Sequence, residues 1–234
     1  MHPVSSSLHP CACNDMRGLK EGGILLAYRK GLTILLAFTM FGVFACATTR
    51  SKTPTDTATA HPGEGVTLRG KPIKLLGSPI SLGRPLPSVD LTDAMTMNEV
   101  DLSKEKGSVL LLNLVPSIDT RVCEEQTHYL GEEGNKLPQD IRRITISRDT
   151  PFAQKRFAQE AKLKHIQFLS DYKQGNFARS IGLLTDGSML FARSVVIVDK
   201  KGIVRYIQVV PEMSHLPDME RAFAKATELA KEGE

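Results

Sequence analysis

From Val66 onward the apolar and polar positions fall into short periodic blocks, and before it they do not. Val66-Thr-Leu-Arg69 and Pro72-Ile-Lys-Leu-Leu76 flank Gly70-Lys71 and predict a β-hairpin. Ser108-Val-Leu-Leu-Leu-Asn-Leu-Val115 is a largely continuous apolar run of strand length, as expected of a central strand buried on both faces. A helix is expected from about Val122, with Val122, Gln126, Tyr129 and Leu130 near one side. Arg143–Ser147 and Ile166–Ser170 read as further strands. Between them Asp149-Thr150-Pro151 supplies capping chemistry and a first-turn proline for a helix over Phe152–Glu160. Ser194–Asp199 and Ile203–Val209 form a second hairpin across Lys200-Lys201-Gly202, and an amphipathic helix runs from Asp218 to about Lys231. Strands alternating with helices and closing on an antiparallel hairpin predict an α/β fold, a mixed β-sheet flanked by helices. No internal repeat is visible.

The first 65 residues follow another logic. Arg29-Lys30 precede an apolar run over 31–45, which meets Cys46. A basic segment followed by an apolar one, shorter than the ~20 residues of a spanning helix, fits an export signal over residues 1–45. Val43-Phe-Ala-Cys46 resembles the cleavage and acylation site of bacterial lipoproteins. It predicts a lipid on Cys46 and a domain held at a bacterial membrane, facing the periplasm or the cell exterior. The segment before the apolar run is long, which makes Met16 an alternative start. Either start leaves Cys11 and Cys13 apart from the folded domain. Residues 46–65 are rich in Thr, Ala, Pro and Gly with no apolar period, too little to offset their ordering entropy. They are expected to be a flexible tether to a domain over 66–234.

Composition agrees with one such domain: 234 residues, 41% hydrophobic and 24% charged. The four cysteines form no spaced framework that a small disulfide-dependent fold would need. Half of the net charge of +4 falls in residues 1–45, so the remainder is near neutral and has no electrostatic footprint for nucleic acid. No phosphate loop, zinc signature or nucleotide fingerprint is present, and no cofactor is implied.

The chemistry sits where the central strand should turn into the next helix, at Pro116-Ser-Ile-Asp-Thr-Arg-Val-Cys123. A cysteine there lies in the first helical turn, where unpaired backbone N–H groups and the helix dipole favour negative charge on sulfur. Thr120, one turn earlier, can set its hydroxyl beside the sulfur, and Pro116 walls the site and removes a competing N–H. Glu124 and Glu125 read as helix-start residues, Arg121 as a surface charge. His128 lies about 140° round the helix from Cys123, which opposes a Cys–His pair.

The spacing Pro116-x-x-x-Thr120-x-x-Cys123 resembles the peroxiredoxin active-site motif. Pro116-Ser-Ile-Asp-Thr-x-Val-Cys123, Pro151-Phe-Ala-Gln-Lys-Arg-Phe157 and Ala192-Arg-Ser-Val-Val-Ile-Val-Asp199 resemble the thiol peroxidase subfamily, with likeness over about Val66 to Ala230. The resemblance implies a thioredoxin-like fold with an extra N-terminal hairpin, and a homodimer. It makes Cys123 the peroxide-reducing cysteine, with Thr120, Pro116 and Arg193 around it. The fixed charge of Arg193 would stabilise a thiolate and polarise the peroxide. The implied reaction leaves a sulfenic acid on Cys123, with hydrogen peroxide or an organic hydroperoxide as substrate.

One part of that pattern is missing. Relatives carry a resolving cysteine directly after the Pro-Phe-Ala-Gln-x-Arg-Phe word, and here the position is Ala158. Resolution is left to an external small thiol, another protein's thiol, or a second Cys123; an external thiol reductant is favoured. Two rival chemistries on the same fold, disulfide reduction and copper delivery, need a second cysteine, but the residues are Cys123-Glu-Glu-Gln126. The alternative outside enzymology is a non-catalytic or peroxide-sensing lipoprotein.

Overall fold

In the computed structural model, which describes residues 52–232, the chain begins with β1 (Thr55–Asp56), β2 (Gly65–Leu68), β3 (Lys71–Leu76), β4 (Asp90–Asp93) and β5 (Glu99–Asp101). It continues through β6 (Val109–Leu114), α1 (Arg121–Glu132), β7 (Ile141–Ser147), α2 (Pro151–Glu160), β8 (Ile166–Ser170) and α3 (Asn176–Ser180). It closes with β9 (Leu184–Thr185), β10 (Ser194–Val198), β11 (Val204–Val209), β12 (Leu216–Pro217) and α4 (Met219–Lys231). The main sheet has the order β11-β10-β6-β7-β8-β4-β5. Strands β6, β7 and β8 are parallel, and the flanking strands are antiparallel to their neighbours.

Every residue of β6 is buried, as its apolar run requires, and its two faces feed two cores. Leu110, Leu112 and Leu114 join Ile144, Ile146, Val196 and Val198 against Phe177 and Ala178 of α3, Phe191, and the hairpin residues Val66 and Leu75. Val109 and Leu111 face the other way, with Val195 and Ile197, against Leu130 of α1 and Met219, Ala222, Phe223 and Ala226 of α4. On that same side Ala158 of α2 packs on Phe168 of β8. A central strand covered on both faces explains why its sequence does not alternate. The chain continues from its carboxyl end into α1, and that junction carries the site.

The N-terminal hairpin is β2 and β3, with Leu68 opposite Lys71, so its loop is Arg69-Gly70, one residue earlier than expected. Both loop residues have positive φ, 52° and 75°, the twist-matching turn for which glycine is suited. The strand β9 completes a small three-stranded sheet with them. Helix α2 begins at Pro151 with Thr150 as its cap, the threonine oxygen accepting from Ala153 N at 3.3 Å.

One expectation changes. Residues 46–65 were expected to form a flexible tether, yet in the described part of that segment the chain is docked from Thr53 onward. Buried Thr53 donates its hydroxyl to Glu125 of α1 at 2.6 Å. Strand β1 pairs with β12, Ala60 N bonds to Val209 O at 2.8 Å, and Gln208 Nε2 donates to Asp56 O and Ala58 O. The segment has little apolar surface, so burial of side chains does not hold it; backbone hydrogen bonds to the edge strand do. The expected export signal and Cys46 lie outside the described residues.

The β4–β5 edge was not expected at all, and it hangs on one carboxylate. Buried Asp101 accepts from Ser88 Oγ at 2.6 Å, Ser103 N at 3.0 Å and Ser103 Oγ at 2.7 Å, and pairs with Lys104 at 3.1 Å. Burial pushes its carboxyl up, but these hydrogen bonds outweigh burial and hold it well below the ordinary carboxylate range. A carboxyl depressed on folding contributes stability that is complete above its unfolded value, near pH 4, and is lost as the pH falls toward the folded value. Asp101→Asn should therefore lower stability at neutral pH and flatten the acid limb of the stability curve. Urea midpoints measured from about pH 6 down to about pH 2 test this. A variant with the same acid slope as the parent would contradict it.

Candidate active site

After β6 the chain passes through buried Val115 and Pro116 into a short turn, Ser117 to Thr120, and then α1. That turn is pinned from the next strand-to-helix junction. Asp149 Oδ1 accepts from Ser117 Oγ at 2.7 Å, and Oδ2 accepts from Ile118 N at 2.8 Å. Thr120 is the N-cap in extended conformation, φ −117° and ψ 140°, which leaves Cys123 at the third helical position. The N–H groups of the first turn precede the helix's own hydrogen-bond ladder, so the positive end of the α1 dipole lies at Cys123.

Cys123 is fully covered, 0% exposed, in a cluster with Val115, Ile118, Ala153 and Phe157. Arg193, immediately before β10, is 2% exposed and reaches it from the neighbouring strand. Its Nη2 lies 3.3 Å from Cys123 Sγ, Nη1 donates to Gln126 Oε1 at 2.7 Å, and Nε donates to Met213 O at 2.9 Å. Two of these partners are neutral carbonyl oxygens and the third is the sulfur. Among the described residues no carboxylate pairs with this guanidinium, nor with that of buried Arg143, whereas the more exposed Arg142, Arg156 and Arg205 each have at least one. A buried cation without a counter-charge is costly. A thiolate at Sγ would supply the missing charge.

Behind the guanidinium a polar ladder crosses the sheet. Gln126 Nε2 donates to Asn113 Oδ1 at 2.6 Å, and Asn113 Nδ2 donates to Thr145 Oγ1 at 3.1 Å and to Thr127 Oγ1 at 3.3 Å. Thr127 in turn donates to the Cys123 carbonyl at 2.8 Å. Each of these groups is buried and each finds a partner. The ladder fixes Gln126 Oε1, and with it one edge of the Arg193 fork.

The structure thus brings Cys123 and Arg193 into contact and buries Pro116 in the turn between β6 and α1. Thr120 stands at the exposed rim, where its hydroxyl donates to Ser117 O at 3.1 Å rather than to the sulfur. The sequence reading missed Gln126, Asn113, Thr127, Thr145 and Asp149 as site-supporting residues. Asn113 left a signal, a single amide inside an otherwise apolar buried strand. A cleft lined by Leu137, Ile141, Arg142, His165 and Gln167 opens at the amino ends of β7 and β8, away from the sulfur.

The redoxin family model matches residues 81–223. A thiol peroxidase of Staphylococcus saprophyticus is 40% identical over 157 residues, which cover 67% of this chain and 94% of that protein. A thiol peroxidase of Bacillus subtilis is 34% identical over 166 residues, 71% of this chain and 98% of that one. This chain belongs to the thiol peroxidases. Among solved structures, a peroxiredoxin-like protein from Aquifex aeolicus superposes with a TM-score of 0.68 at 30% identity, over 73% of this chain and 99% of that chain. A thiol peroxidase from Chromobacterium violaceum, 18% identical with a TM-score of 0.60 over 70% of this chain and 96% of that one, shares the fold. The chain is an oxidoreductase of the peroxiredoxin class, and the non-catalytic reading is not favoured.

In this thiol peroxidase, Gln126→Met should expose how much the ladder matters. It leaves the Arg193 Nη1 donor and Asn113 Oδ1 unpaired in a dry interior, at a cost of about 2–5 kcal/mol. Chemical denaturation should show that loss, and peroxide consumption by the folded variant should be slower. Unchanged values of both would mean that the ladder is incidental.

Proposed function

We propose that Cys123 is the peroxide-reducing residue and that Arg193 completes its charge. The carrying observation is the guanidinium 3.3 Å from Sγ, buried, with only neutral acceptors otherwise. In the proposed step a sulfur electron pair forms an S–O bond to one peroxide oxygen, the O–O bond breaks, and its bonding pair departs on the other oxygen. That oxygen takes a proton and leaves as water or alcohol, while sulfur is oxidised by two electrons to sulfenic acid. Arg193 stabilises the charge that moves onto the departing oxygen. Thr120, at the rim, turns its hydroxyl from Ser117 to the peroxide, and Pro116 closes the wall. Hydrogen peroxide and organic hydroperoxides are the substrate class.

The reduction half uses an external thiol. The family's resolving position is Ala158, which packs with Ala94 and Phe168 in a different cluster from Cys123. Full burial of Cys123 disfavours a direct bond between two copies and favours a small thiol admitted through the rim at Asp119-Thr120. One thiol condenses with the sulfenic acid to give a mixed disulfide and water; a second displaces Cys123 and leaves as the oxidised pair. Soluble protein beginning after Cys46 should therefore consume hydroperoxide with excess small thiol, and Cys123→Ser should abolish turnover. Intact mass after one equivalent of peroxide, without reductant, should show a single-oxygen adduct or its further oxidation. Retained turnover in Cys123→Ser sinks the assignment, and a covalent dimer sinks external resolution.

We further propose export and lipidation at Cys46. The reading rests on Arg29-Lys30, the apolar run over 31–45 and Val43-Phe-Ala-Cys46. Because the domain is docked from Thr53, seven residues of contour separate it from Cys46, a reach of roughly 25 Å at full extension. The domain would work close to the bilayer. In a bacterial host, radiolabelled palmitate should enter the parent chain and be absent from Cys46→Ala, which should leave the membrane fraction. Equal labelling of both would refute lipidation at this residue.

A further inference from the structure

We propose that Glu212 is a positioning residue for peroxide reduction: its carboxylate fixes the loop whose Met213 carbonyl holds Arg193 against Cys123. The proposal rests on the reading that Arg193 acts on the Cys123 sulfur.

Glu212 lies between β11 and β12, outside every sequence motif that drew attention. Its Oε1 accepts from Arg69 N at 2.8 Å, Ser214 N at 3.1 Å and Ser214 Oγ at 2.6 Å. Its Oε2 accepts from Gly70 N at 3.0 Å and from Thr67 Oγ1 at 2.9 Å, a hydroxyl shared with Pro211 O at 3.1 Å. Five donors thus converge on one side chain, every one neutral, and none of the ion pairs among the described residues includes it. Two of the donors are the consecutive amides of the Arg69-Gly70 turn. Their positive φ values, 52° and 75°, turn both N–H groups to one side, as in an anion-binding nest. Burial pushes the carboxyl of Glu212 up, but the bonds from Ser214, Gly70 and Arg69 outweigh it and hold the group below the usual carboxylate range. The charge is retained where the loop needs it.

The same loop is bracketed by backbone. Thr67 N donates to Pro211 O at 2.7 Å, and Met213 N donates to Thr67 O at 2.8 Å. Backbone and carboxylate thus tie the loop to the hairpin at adjacent points. The next residue, Met213, presents its carbonyl to Arg193 Nε at 2.9 Å. A guanidinium is a planar, rigid fork. With Nε set by Met213 O and Nη1 set by Gln126, Nη2 has one position left, 3.3 Å from the sulfur. Release of the loop frees the Nε end of that fork, and a displacement of about 1 Å at a reacting group costs on the order of 100-fold in rate.

A purely structural staple would explain the same hydrogen bonds, so the test must separate stability from chemistry. Glu212→Gln removes the charge and part of the acceptor capacity. Val66→Ala removes core packing from the same hairpin and leaves the carboxylate alone, since Val66 is buried in the apolar cluster. For each variant the thermal midpoint is measured, then, well below it, the rate of Cys123 oxidation by peroxide and the pH profile of Cys123 alkylation. The expected result for Glu212→Gln is oxidation slowed about 10- to 100-fold, with the alkylation profile moved to higher pH. Reduction by thiol should be little changed, so that peroxide KM and kcat respond differently. Val66→Ala should lose comparable thermal stability and keep both the parent rate and the parent profile. If Glu212→Gln behaves like Val66→Ala, Glu212 is a staple only and the proposal falls. Arg193→Met, run alongside, must slow oxidation by itself. Parent-like oxidation in that variant would instead overturn the reading of Arg193. Should Glu212→Gln fail to fold, Ser214→Ala removes one donor and keeps the carboxylate. It should slow oxidation about fivefold if the proposal holds, and not at all if it is wrong.

Discussion

A positive charge buried without a negative partner is the constraint around which this protein is arranged. Arg193 is 2% exposed, and its protein acceptors are two neutral carbonyls, from Met213 and Gln126. Had a carboxylate filled the Nη2 position, the guanidinium would be satisfied and indifferent to the sulfur. Filled by a sulfur that can carry charge, the same position couples the fold's electrostatic cost to the state of Cys123. The helix start of α1 adds to the same demand, because its first-turn amides also favour an anion there. Two independent features of the backbone, a strand start and a helix start, thus ask for charge at one atom.

What keeps that atom in place is a set of polar groups in an otherwise apolar interior. Asn113 lies near the carboxyl end of a fully buried strand, with Thr145 opposite it on β7 and Gln126 of α1 bonded to it. An amide there forgoes the hydrophobic stabilisation that a leucine would give, and it is tolerated because every partner is present. Asp149 does the same for the turn before α1, and Glu212 for the loop behind Arg193. The three share a pattern. Each is a polar side chain that ties one chain segment to another distant in sequence, and each is separated from Cys123 or Arg193 by one intervening residue.

That pattern also explains what could be read from the sequence. The core strands Ser108–Val115 and Ser194–Asp199 and the helix before Lys231 were legible because burial writes itself as apolar periodicity. Pro116, Thr120, Cys123 and Arg193 stood out in the sequence because they lie in words that resemble the family's. The β4–β5 edge was not, since Asp90-Leu-Thr-Asp93 and Glu99-Val-Asp101 carry almost no apolar pattern and are held by Asp101. The docked segment after Thr53 was missed for a related reason: backbone bonds to an edge strand leave no trace in composition. Gln126 was placed near one side of the helix and given no role at the site, and its partner Asn113 was simply part of a largely continuous apolar run. Glu212, five hydrogen bonds notwithstanding, is one acidic residue in a loop, and nothing in a linear pattern marks it.

The absence of a cysteine at position 158 has a consequence for the charge balance at the site. A sulfenic acid is neutral at sulfur, so on the proposed cycle the first oxidation leaves Arg193 facing a group that no longer pays its desolvation. An intramolecular disulfide would draw the sulfur out of that environment. With Ala158 packed against Phe168, the described residues hold no second cysteine to form one, and on the proposed cycle the oxidised sulfur stays beside the guanidinium. On the proposed cycle two events would restore a favourable arrangement there: reduction by a thiol, which returns a sulfur able to carry charge, and further oxidation to a sulfinate, which carries negative charge. The buried arginine rewards both. On the proposed cycle, the supply of reductant at the rim decides between them.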